Sequence, residues 1–155
     1  MQSVQKKQQG FTLIELLVVI GILAVLLSIV LIAINPARQF AQANNTQRRS
    51  DVTAVLNAIH QYAADNSGTL PTGVPIAGST EDVSSAGTGA AFCDALVPTY
   101  IAALPQDPTG GTFVNCNNYD SKFQISASIP IVGSTPRVTL SAPNAEIGTI
   151  ISVTR

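Results

Sequence analysis

The chain has no tryptophan, a single histidine, a single methionine and two cysteines, and only 11% of its residues are charged. Each scarcity removes a class of function. His60 is the one histidine and stands in no triad context, and neither a nucleophile elbow nor a phosphate-binding loop occurs. The carboxylates are scattered, with no two placed to work as an acid and a base. Cys93 and Cys116 lack zinc-finger spacing and have no second histidine to complete a ligand set. The sequence therefore points away from an enzyme and implies no cofactor. Net charge is −1, and nucleic acid is not indicated, since no basic stripe runs through the chain.

What the sequence does have is one long apolar run. From Phe11 to Ile34 the only charged residue is Glu15. As a helix with about 1.5 Å of rise per residue, such a run spans the roughly 30 Å of a hydrocarbon core. Lys6 and Lys7 precede it in a short polar leader that would remain on the cytoplasmic side. Without these two lysines, acidic side chains outnumber basic ones by three. An ordinary signal peptide has a shorter apolar region and an Ala-x-Ala cleavage site, neither of which fits. A carboxylate inside an apolar span carries a desolvation cost, and a functional role is its default reading.

Gly10-Phe11-Thr12-Leu13-Ile14-Glu15-Leu16-Leu17 resembles the processing site of type IV prepilins and of the related pseudopilins of type II secretion. The resemblance implies cleavage between Gly10 and Phe11 by a prepilin peptidase and N-methylation of Phe11. It further implies residence in the inner membrane before assembly by a cytoplasmic ATPase-driven machine, and a homo-oligomeric helical filament outside the cell afterwards. On the physical side, cleavage would leave a Phe11 ammonium one helical turn from Glu15. A buried carboxylate requires such a partner. The pair would form within one helix at i, i+4, or between neighbouring helices, where it would set register as a buried polar residue does in a coiled coil. Glu15 is thus the expected determinant of assembly.

Two weak points interrupt the long helix on paper, Gly21 and Pro36. Glycine costs about 1 kcal/mol in a helix relative to alanine. Pro36 removes a backbone donor and crowds the carbonyl of Ile32, so a kink is expected there; the alternative is that Asn35-Pro36 ends one helix and starts another. Arg38 to Asp51 is polar with no broad apolar face. Val52, Val55, Leu56, Ile59, Tyr62 and Ala63 then form a helical stripe, and Asp65-Asn66-Ser67-Gly68 supplies the stop. His60 lies beside that stripe, as a half-exposed helix residue would. The glycosylation triplet Asn44-Asn45-Thr46 falls inside the expected helix, a poor place for an acceptor.

From Thr69 to Gly111 the chain is rich in Gly, Ser, Thr and Pro and reads as a surface excursion with one short helix near Ala90 to Val97. Leu104-Pro105-Gln106-Asp107-Pro108 resembles the family's Leu-Pro-x-Asp-Pro segment. Strands are expected over Lys122–Ile129, Arg137–Ala142 and Ile147–Thr154, with turns at Gly133-Ser134 and Pro143-Asn144. The fold class that follows is α+β. It is a long N-terminal helix, membrane-spanning in its first half, whose second half covers a small antiparallel sheet. In domain terms the leader is 1–10, the polymerisation helix 11–34, the amphipathic helix 35–67 and the globular head 68–155, with a loop region over 68–111 and the antiparallel sheet over 112–155.

Cys93 and Cys116 would lie in the exported part, where an even pair reads as one disulfide stabilising by about 3 kcal/mol on chain-entropy grounds; two buried thiols are the alternative. Asp107, Asn115, Asn117, Asn118 and Asp120 are an oxygen-rich set in which Asp107 and Asp120 offer a weak Ca²⁺ site, against the plainer reading of turn residues around a disulfide. The glycine- and aspartate-rich C-terminal loop of major pseudopilins is missing. That favours a type IV pilin, whose fibre would serve adhesion, twitching motility or DNA uptake. A type II secretion pseudopilin or a minor pilin is the alternative within the family, and a membrane-anchored binding domain that never polymerises is the alternative outside it.

Overall fold

The computed structural model describes residues 10–75, 78–128 and 136–155. Most of the leader, with Lys6 and Lys7, the Gly133-Ser134 turn and the end of the expected strand at Ile129 lie outside the described residues. Residues through Gln39 and residues Phe40–Arg155 form two compact units.

In the first unit, α1 runs Leu13–Ile34, 22 residues with a mean hydropathy of 3.4, long and apolar enough to cross a membrane. It passes through Gly21 without a break. Glycine keeps its N–H, so it weakens a helix without removing a bond, and the expected weak point there does not open. At Pro36 the structure takes the second of the two courses. Helix α1 stops at Ile34, Asn35 caps it in the left-handed conformation (φ 47°), and Pro36 opens a new helix, α2, at Pro36–Asp65. Proline suits a first helical position because its missing donor would be unused there. The Asn35 side chain and carbonyl both accept from the Arg38 N–H. One expected helix with a kink is therefore two helices with a cap.

In the second unit, α2 lies over a five-stranded antiparallel sheet. The strands are β1 (Thr80–Ser84), β2 (Thr112–Asn115), β3 (Asn118–Ala127), β4 (Val138–Ala142) and β5 (Ile151–Thr154), and α3 (Gly89–Leu96) follows β1. Sheet order is β1-β3-β4-β5, with β2 also paired to β3. Alternation places Phe123, Ile125, Ala127, Val138, Leu140 and Ala142 on the buried face. Val52, Val55, Leu56 and Ile59 of α2 and Phe92 and Leu96 of α3 complete one core with them. The stop at the end of α2 uses Ser67 and Gly68, both left-handed, with the Gly68 N–H on the Ala63 carbonyl at 2.7 Å.

One strand, β1, lies where none was expected, and another, β2, opens the expected sheet region without an alternation signal. β1 falls inside the supposed surface excursion, where Thr80-Glu81-Asp82 is polar because it forms a sheet edge exposed on most of its length. β2 is short and mostly exposed, so it lacks alternation. The last strand begins at Ile151, and Ile147 sits in the preceding turn with positive φ.

Candidate functional site

The N-terminal site is built by a capping box. Thr12 is the N-cap of α1, its hydroxyl accepting from the Glu15 N–H. The Glu15 carboxylate accepts in turn from the Thr12 N–H at 2.8 Å and from the Thr12 hydroxyl at 2.7 Å. Two helix-end donors are satisfied reciprocally. Gly10 and Phe11 precede the helix in extended or irregular backbone and are exposed. The helix thus begins two residues after Phe11, so the expected i, i+4 pairing inside one helix is not the geometry of the uncut chain. Instead Thr12 holds the carboxylate that a free Phe11 amine would meet. The Gly10–Phe11 bond therefore lies outside the helix, in exposed chain.

The second site is in the head and went unread in the sequence. Arg48 on α2 is fully buried, and each of its five N–H donors has an acceptor. Nε and Nη2 meet the Asp107 carboxylate at 2.7 and 3.1 Å. Nη1 serves Glu146 at 2.9 Å and Asn45 at 3.0 Å, and Nη2 also reaches the Thr109 hydroxyl at 2.9 Å. Asn45 locks the arrangement by accepting from the Glu146 N–H and donating to the Glu146 carbonyl, both at 2.9 Å. Asn44, the glycosylation candidate, donates to the Glu146 carboxylate. One guanidinium thereby ties α2 to the segment around Asp107 and to the β4–β5 turn.

Charge follows geometry here. The hydrogen bonds that Arg48 donates to Asp107, its bond to Glu146 and the field of both carboxylates hold the guanidinium above its ordinary pKa against burial. Burial works to raise Asp107, but the bonds from Arg48, the Thr109 hydroxyl and the Thr109 N–H outweigh it and hold the carboxyl below its usual range. Hydrogen bonds from Arg48 and Asn44 lower Glu146 likewise. Asp51 is the exception: burial pushes its pKa up, and one carboxylate oxygen has no partner among the described residues.

The calcium idea is redirected by these contacts. Asp107 is committed to Arg48 and Thr109, Asp120 to Lys122, and no group of three or more His, Cys, Asp or Glu among the described residues is arranged to hold a metal ion. Cys93, buried on α3, and Cys116, in the β2–β3 turn, are disulfide-bonded with Cα atoms 5.2 Å apart. The bond ties α3 to the hairpin. His60 is half-buried at the margin of the core, its Nε2 without a partner among the described residues.

The signal for Arg48 was spacing. Ala41, Asn45, Arg48, Val52, Val55 and Ile59 are all buried and follow steps of three and four. The core stripe therefore continues into the polar stretch, where its members are polar because they meet Asp107 and Glu146 instead of apolar side chains.

The family described as prokaryotic N-terminal methylation motif matches residues 5–31. The chain is similar to the type II secretion system core protein G of Aeromonas hydrophila, 31% identical over 109 residues, which cover 70% of this chain and 73% of the relative. The protein of the same name from Escherichia coli strain K12 is 32% identical over 111 residues, covering 72% of this chain and 73% of the relative. That of Dickeya chrysanthemi is 33% identical over 118 residues, covering 70% and 68%. No solved structure matches the chain. The likeness runs far beyond the methylation motif, into the head.

Proposed function

Because the chain belongs to the family of the type II secretion system core protein G, within the pilin and pseudopilin superfamily, we propose that it is a structural subunit of a type II secretion pseudopilus. It is not an enzyme, in keeping with relatives that are core subunits of a secretion system. The apolar α1 and the methylation motif at its head point to membrane anchoring before assembly. Cleavage between Gly10 and Phe11 then frees an amine that is methylated, and the subunits polymerise through α1, with Glu15 setting register.

A single observation carries this reading: 109 residues of similarity to a secretion core protein, against the 5–31 reach of the N-terminal methylation motif. It moves the balance from the type IV pilus of adhesion and twitching motility to the secretion pseudopilin that the sequence offered as its alternative. The missing C-terminal loop pointed the other way. One loop is a weak guide, since surface connections tolerate replacement far better than the core does. A fibre longer than the periplasm, made at native expression, would favour the pilus.

Mass spectrometry of the N-terminal peptide from protein recovered in its host tests the first step. A peptide beginning with methylated Phe11 is expected. A peptide beginning with Met1, in cells that hold the peptidase, would leave a membrane-anchored protein that does not polymerise. Deletion of the gene is expected to abolish secretion of type II cargo and leave surface motility unchanged.

A further inference from the structure

The head is charged in opposite senses on the two sides of its sheet. β1 and β5 are the opposite edges. On the β1 side Glu81, Asp82 and, on adjoining α3, Asp94 are exposed. Lys122, the basic residue near Asp82, is already paired with Asp120. On the β5 side Arg155 and, just before β4, Arg137 are exposed, and Arg49 of α2 faces the turn leading into β5 beside Ile147 and Thr149. Glu146, the acid in that turn, is spent on Arg48. Arg137 and Arg155 also line a pocket of about 190 Å³ with His60, and no carboxylate side chain among the described residues lines it.

Building on the reading that the chain assembles, we infer that the heads dock on one another, the acidic β1 side of one copy against the basic β5 side of the next. Three features specify a second copy as the occupant. Charge is complementary between two surfaces of the same molecule, and such complementarity selects partner and orientation. Strands β1, β3, β4 and β5 alternate in direction, so a laterally displaced copy sets its β1 antiparallel to β5. Finally, β5 is an open edge. Arg155 exchanges both backbone bonds with Val138, and by alternation Ser152 and Thr154 direct their backbone groups away from β4. Ile150, 90% exposed, stands at the same edge. An edge of this kind calls for cover.

The contact at β1 is made by side chains. The Thr88 N–H occupies the Asp82 carbonyl, so the following turn closes the edge beyond that residue. Because the two surfaces differ, the contact is heterologous and does not close into a two-fold dimer; repeated, it extends into a filament.

Cross-linking of the full-length chain in membranes of its host tests the contact. Asp82→Cys and Arg137→Cys are introduced singly and together, and treated with a flexible bis-maleimide, while the native disulfide keeps Cys93 and Cys116 out of the reaction. A ladder of dimers, trimers and higher species is expected only when one chain carries both substitutions. Dimers from either single variant would mean a symmetric contact and overturn the proposal, as would adducts to a different protein. No ladder from the double variant, with filaments still visible by immunogold, would overturn the head contact and leave the pseudopilin reading standing. No assembled species from the unaltered chain would remove both. As a second arm, Glu81→Lys with Asp82→Lys is expected to abolish filaments, and adding Arg137→Glu with Arg155→Glu to restore them. Failure of that restoration in chains that retain the disulfide would also count against the contact.

Discussion

Arg48 and Asp107, 59 residues apart in the chain, meet through two hydrogen bonds with both side chains withdrawn from solvent. The pair does not by itself argue for stability, because two charges taken out of water regain by attraction roughly what they lost in hydration. What it does is fix position. The planar fork accepts only one orientation of the carboxylate, and the carboxylate belongs to the segment that leads from α3 to the hairpin β2–β3.

Removing one partner is therefore the severe change. Asp107→Ala leaves a buried guanidinium short of two acceptors and is expected to destabilise the head by about 3–5 kcal/mol. Thermal unfolding followed by circular dichroism would show it as a fall in Tm of many degrees. Arg48→Met together with Asp107→Leu is expected to recover most of that loss, because neither residue then leaves a charge behind. Equal damage from the double and single substitutions would mean that the pair contributes more than neutralisation.

Asp51 sits one turn further along α2 and is predicted to behave in the opposite sense. Burial raises its pKa, so the folded head holds this proton more tightly than the unfolded chain does. The charged form then costs stability at neutral pH, and that cost vanishes as pH falls through the carboxylate range. Asp51→Asn is expected to raise Tm at pH 7, by an amount that shrinks as pH falls and disappears below the ordinary aspartate pKa. For Asp107 the linkage reverses: its lowered pKa gives stability that is complete above the ordinary carboxylate pKa and is lost as pH falls toward the folded value. Acid titration of the Asp107→Ala chain should accordingly lack part of the acid-induced loss seen in the parent.

How much of this could be read beforehand follows from where each residue finds its partner. The Val52–Ala63 stripe, the Phe123–Ala127 alternation and the stop at Gly68 were legible because periodicity is a local property and the core answers it with any apolar surface. Arg48 was not, since an arginine in a polar stretch acquires meaning only from Asp107 and Glu146, which the sequence places 59 and 98 positions away. β1 was hidden for a related reason: an edge strand carrying Glu81 and Asp82 has no hydrophobic alternation to betray it. Asn35 lies between these cases. Its left-handed conformation suits asparagine, and the Asn-Pro step announced a boundary without saying whether the helix would bend or end.

The disulfide is expected to act on the head alone. Cys93→Ser with Cys116→Ser removes the tie between α3 and the β2–β3 turn, at a cost of about 3 kcal/mol. Reduction of the parent with dithiothreitol should lower Tm by a comparable amount. No change on reduction would show that the packing of Phe92 and Leu96 suffices to hold α3 in place.

Glu15 offers the sharpest test of how the chain assembles. In the uncut chain its carboxylate is satisfied locally by the N–H and hydroxyl of Thr12. Insertion therefore does not require any partner outside the helix. Under the proposed cleavage after Gly10, a cationic amine would appear at Phe11, just outside the helix start, where it could reach its own Glu15 or that of a neighbour. Glu15→Val removes the carboxylate and makes α1 more apolar, so membrane fractionation should find at least as much inserted protein as before. Filaments should disappear, because on the proposed assembly staggered α1 helices lose the charged contact that would distinguish a correct register from a wrong one between them. Thr12→Val separates the two roles of the carboxylate. It removes the hydroxyl of the capping box, at about 1 kcal/mol of helix stability, while leaving the carboxylate for the amine, and filaments should persist. Abundant filaments from the Glu15→Val chain would confine Glu15 to helix capping and return the choice of register to the apolar side chains and to the heads.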